Sequence, residues 1–136
     1  MLYIHAGMGK TGTTSIQHFA KNEVSLREFF NYPLSGLQGD GHHLLALNKQ
    51  KRQNWVALID EICSRETIND SLKPYFISTE NLFFEDADFL KELRSMLDSR
   101  KISHKIIIGY RAFKGYALST YLEYVSQGRI PIYSTY

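Results

Sequence analysis

Between Gly7 and Thr14 the chain reads Gly-Met-Gly-Lys-Thr-Gly-Thr-Thr. Glycines let backbone N–H groups approach an anion closely. A helix opening just after such a turn adds a partial positive charge, so the segment is built to attract phosphate. Lys10 adds a full positive charge, and Thr11, Thr13 and Thr14 add hydroxyl donors around Gly12. The spacing differs from the common nucleoside-triphosphate loop, which needs four residues between its first Gly and the Gly-Lys pair. Here Gly7 and Gly9-Lys10 stand too close together, and a further Gly-Thr-Thr follows the lysine.

A second set of polar residues sits near Tyr110. Arg111 ends an apolar run, and Ser119 follows eight residues later in a helical pattern. Eight helical residues rise about 12 Å. A long arginine side chain covers much of that gap, so a guanidinium fork and a hydroxyl can meet at one phosphate. Glu80, after Ser78-Thr79, supplies a carboxylate at the end of another apolar run. It suits three roles: a base, a helix-capping group, or an ion-pair partner for Lys10 or Arg111. His42 and His43 are the rival bases or substrate contacts, while His5, inside the first apolar run, reads as structural. No Cys/His spacing fits a zinc site, and no metal is expected.

The Lys-Thr-Gly-Thr-Thr order, and the Arg111 to Ser119 pair behind it, resemble sulfotransferases that use 3′-phosphoadenosine 5′-phosphosulfate (PAPS). The resemblance runs from Leu2 to about Gly128. It implies that Lys10, Thr11, Gly12, Thr13 and Thr14 hold the 5′-phosphosulfate end, and that Arg111 and Ser119 hold the 3′-phosphate. Lys10 would neutralise charge on the bridging oxygen as adenosine 3′,5′-bisphosphate (PAP) leaves. Ser78-Thr79-Glu80 looks like the Ser-Ser-Glu stretch of bacterial members, whose base is a His or a Glu by branch. The implied reaction is sulfuryl transfer to a hydroxyl or amine of a small-molecule or carbohydrate acceptor, with Lys10 and Glu80 catalytic. Two departures stand out. Many members carry an aromatic residue after Thr-Thr to stack on adenine, where this chain has Ser15-Ile16. Members also continue past the Arg–Ser helix, so the resemblance implies a chain short at its C-terminal side. A P-loop kinase or NTPase, with Glu80 near a metal, and a non-catalytic nucleotide-binding module remain the alternatives.

The elements that would position these residues follow from periodicity. Leu2–Ala6, 74–78 and 105–110 read as strands, the last built on Ile106-Ile107-Ile108. Helices are expected from Thr13 or Thr14, with Ile16, Phe19, Ala20 and Val24 sharing a face. Others are expected over 42–65 in one or two pieces, over 86–97, and over 113–127. The 31–41 stretch holds Pro33, Gly36, Gly39 and Gly41 and reads as loop. Strands alternating with helices predict an α/β fold: a three-layer P-loop-type arrangement with a central parallel sheet covered on both faces. Ligands bind such sheets at the carboxyl ends of the strands. The loops after Ala6, Ser78 and Tyr110, which carry the polar sets, lie there.

The 136 residues suit one domain, and 43% hydrophobic content supports a core rather than disorder. A net charge of +2 gives no basic field, which argues against nucleic acid as a partner. Cys63 is the single cysteine, so no internal disulfide can form, and a reducing, cytoplasmic setting is expected. The residues before Gly7 lack the pattern of a signal peptide, and no apolar run reaches membrane-spanning length. A short sheet that exposes apolar surface would favour homo-oligomers.

Overall fold

In a computed structural model, residues 1–7, 12–46, 48–66, 73–110 and 112–129 are described. Strand β1 (Leu2–His5) lies between β2 (Tyr75–Ser78) and β3 (His104–Ile107) in the order β2-β1-β3. All pairings are parallel, with Leu2 opposite Tyr75 and His104, and Ile4 opposite Ile77 and Ile106. Among the described residues four α-helices accompany the strands: α1 (Thr13–Asn22), α2 (Lys51–Glu66), α3 (Ala87–Ser99) and, after β3, α4 (Phe113–Ser126). The protein is thus α/β, an open parallel sheet flanked by helices, as strand–helix alternation predicts.

Side chains alternate across a strand, so Leu2, Ile4, Tyr75 and Ile77 share one sheet face. Trp55, Leu58, Ile59 and Ile62 recur along α2 at helical spacing, and Phe89, Leu93 and Leu97 do so along α3. These residues make one buried cluster. Burying each large side chain contributes roughly 1.5–3 kcal/mol, so this packing fixes where the strand ends point. Asp86 starts α3 by accepting a hydrogen bond from the Phe89 N–H at 2.7 Å. The Trp55 indole N–H donates to Leu45 O at 2.8 Å and ties the loop before α2 to the core. That loop makes the short 3-10 turn His43–Leu45, so the 42–65 expectation resolves into two pieces.

Two expectations are corrected. Of the apolar residues expected to share a face, Ala20 is buried, but Ile16 and Phe19 of α1 and Val24 just beyond it are exposed, and the helix buries Thr13 and Gln17 beside Ala20. The inward side of α1 looks onto Glu80 and the Gly41–His43 loop, so polar atoms occupy it. Ile16 and Phe19 instead line a surface groove with Phe30 and Phe76. Second, the sheet is not covered evenly. Ile106, Ile107 and Ile108, on and just after the edge strand β3, are 53%, 45% and 58% exposed. Among the described residues β3 has one strand neighbour, and no described residue of α4 is buried.

Candidate active site

All three strands run in the same direction, so their carboxyl ends gather on one side. Gly12 opens α1 with φ +82°, in the left-handed region that glycine adopts without strain. No side chain caps the helix, and no acidic residue stands in its first turn. The leading N–H groups of a helix have no acceptor within it, so the turn at Gly12–Thr14 favours an anion. Lys10 and Thr11 lie outside the described residues, as does Arg111.

Glu80 starts the 3-10 turn Glu80–Phe84 just beyond β2. The Thr13 hydroxyl donates to its Oε2 at 3.0 Å, tying the first loop to the second. A cavity of about 520 Å³ opens there, lined by Gly12, Thr13, Thr14 and Glu80 on one side. Tyr116, Thr120, Glu123 and Tyr124 of α4 line the other. The structure therefore brings together Gly12, Thr13, Thr14 and Glu80. Ser119 is half-buried on α4 beside Thr120 and is not in the cavity wall. The Oγ1 of Thr120 is buried without a hydrogen-bond partner.

The histidines separate by environment. His42 is fully buried. Its Nε2–H donates to Pro33 O at 3.0 Å, and its Nδ1 accepts from the Ser78 N–H at 3.3 Å. Burial pushes its pKa down from 6.5 to about 4, against the raising effect of these backbone bonds. With both nitrogens engaged, His42 holds the 41–45 loop to the end of β2 and is not placed for substrate contact. His5 Nδ1 pairs with Ser78 Oγ at 2.8 Å. Burial lowers its pKa too, partly offset by the charge of Glu80. This matches the structural role expected of it.

His43 is half-buried and meets a residue that sequence reasoning passed over. Gln17 lies one turn beyond Thr13 on the inward face of α1, is 3% exposed, and its Nε2 has no hydrogen-bond partner. A Cβ at Gly41 would stand 2.7 Å from both Gln17 Nε2 and His43 Nε2, so the two side chains converge over that glycine. The signal in the sequence was the i, i+4 pair Thr13 and Gln17, masked by the more prominent Ile16 and Phe19. Among the described residues, no three His, Cys, Asp or Glu side chains group as a metal site. None of their helices is long and apolar enough to cross a membrane.

Comparison of the chain with known protein families, with curated proteins and with solved structures finds no match.

Proposed function

We propose that the chain binds PAPS and transfers its sulfuryl group to an acceptor hydroxyl or amine. The Thr13–Glu80 hydrogen bond is the observation that carries this reading, because it sets an anion-attracting turn and a carboxylate at one cavity. In the proposed reaction the acceptor oxygen forms a bond to sulfur while its proton passes to Glu80. The bond from sulfur to the bridging oxygen breaks, and PAP departs with the electron pair. Lys10 neutralises that bridging oxygen, and the N–H groups of the Gly12–Thr14 turn hold the 5′-phosphate. Arg111 and Ser119 hold the 3′-phosphate. Such catalysis rests on positioning and charge stabilisation. The acceptor is a small molecule or carbohydrate. The lone Cys63 makes the cytoplasm the proposed setting.

One observation also favours a second reading. A loop threonine bonded to a carboxylate at a strand end is the pairing that surrounds Mg²⁺ in P-loop kinases and NTPases. Calorimetry separates the two. Adenosine 3′,5′-bisphosphate should bind without added metal and at least about tenfold more tightly than ATP or GTP, a difference of about 1.4 kcal/mol. Arg111→Ala should weaken the bisphosphate far more than adenosine 5′-phosphate. Mg²⁺-dependent ATP or GTP binding, with no affinity for the bisphosphate, would overturn the sulfuryl-transfer reading. Bisphosphate binding without sulfuryl transfer across a panel of acceptors would instead identify a binding module.

A further inference from the structure

The cavity beside Glu80 has two chemically different ends. Gly12, Thr13 and Thr14 offer backbone and hydroxyl donors at one end. At the other, α4 presents Tyr116, Thr120 and Tyr124, spaced one turn apart along the same face. Two features of this wall are unexplained by folding. Thr120 Oγ1 is buried and unpartnered, although a buried hydroxyl normally finds a hydrogen bond. Tyr116 and Tyr124 line the cavity from a helix none of whose described residues joins the buried apolar cluster. The Tyr124 ring already carries the Arg129 guanidinium, 5.6 Å from its centroid, which leaves Tyr116 as the cavity-lining tyrosine without such a neighbour among the described residues.

A phosphate-attracting turn facing an aromatic wall fits a nucleotide in outline. The turn takes the anionic end, and a flat base lies on a ring. At about 520 Å³ the cavity falls in the range of nucleotide-sized sites. Glu80 lines the loop end and Glu123 the α4 end, so carboxylates stand at both; the loop end alone adds the N–H groups of a helix start, and the anionic 5′ end belongs there. The residue after Thr13-Thr14 is Ser15, which offers no ring of its own.

We propose that Tyr116 is the platform on which the base of the bound nucleotide stacks. Tyr124 closes the far wall. The inference rests on the proposed nucleotide site but not on which nucleotide fills it.

Binding of adenosine 3′,5′-bisphosphate, ATP and inorganic pyrophosphate to the full chain tests it, with circular dichroism as the check on folding. Tyr116→Leu should weaken both adenine nucleotides about tenfold, the scale of one base–aromatic stack, and leave pyrophosphate within about twofold. Tyr116→Phe should bind as the wild type does. Tyr116→Gln, which is compatible with a helix, stands in if Tyr116→Leu does not fold; it should likewise weaken the nucleotides about tenfold and spare pyrophosphate. Unchanged nucleotide affinity in Tyr116→Leu, or an equal loss for pyrophosphate, overturns the platform. If ATP is preferred to the bisphosphate yet still depends on Tyr116, the sulfuryl-donor reading falls and the platform stands. If no nucleotide binds, both fall.

Discussion

At the scale of single residues, burial sorts side chains that look alike in sequence. His42 and His43 are neighbours, yet one is sealed in the core and the other lies at a polar junction with Gln17. The environment of His42 has a measurable consequence. Its pKa is about 4 in the folded chain, and its ordinary value is 6.5. Between these values the unfolded chain binds the proton that the folded chain refuses. Stability is therefore complete above pH 6.5 and falls as the pH drops toward 4, by on the order of 3 kcal/mol in total. His5 is lowered as well and adds to the slope with the same sign. Urea titrations from pH 7.5 to pH 5 should show the midpoint falling with acidity. The variant His42→Gln should be less stable at pH 7.5, by about 1–3 kcal/mol from broken buried hydrogen bonds, and its curve should be flatter. An equally steep curve in the variant would place the titration elsewhere.

At the scale of elements, α1 shows what the sequence reveals and what it hides. Its start is legible, because a glycine before Thr-Thr marks a strand-to-helix turn, and the helix begins at Thr13 as expected. Its buried face is not. Periodicity ranks Ile16 and Phe19 as core, but the interior beside α1 is made of Glu80, Gly41 and His43, and it takes Thr13 and Gln17 instead. Helix α2 is the contrast: Trp55, Leu58, Ile59 and Ile62 pack under the hydrocarbon face of the sheet, so their pattern and their burial agree. The Thr13–Glu80 contact joins residues 67 apart in the chain. The motif order placed both at strand ends, but only the strand pairing makes them neighbours. Gln17 is costly where it stands, since a buried amide without a partner loses its hydration. Gln17→Leu removes that amide at similar volume. It should stabilise the chain by about 1 kcal/mol, which is a rise of several degrees in the melting midpoint of a chain this size. A drop in the midpoint would mean that the carboxamide is satisfied in solution.

At the scale of the whole molecule, the sheet is unequal across its width. Strand β1 is paired on both sides and covered by α2 and α3, while β3 is paired on one side and leaves Ile106 and Ile107 half exposed. Parallel sheets are normally buried on both faces, so β3 and α4, which has no buried side chain among its described residues, form the weakly held side of the molecule. Local opening should follow this gradient, because segments with few buried apolar contacts open at lower free energy than the core. Native-state hydrogen exchange should find Tyr3, Ile4 and His5 the slowest amides, exchanging only through global unfolding. Amides of Lys105–Ile107 should exchange at least about tenfold faster, which is about 1.4 kcal/mol less protection. Added nucleotide should slow the α4 amides most, since Tyr116 and Thr120 line the cavity on which it would close. Equal protection of β1 and β3 without ligand would show that the edge strand is covered in solution by surface the described residues do not supply. Exchange in α4 that ignores nucleotide would detach that helix from the site.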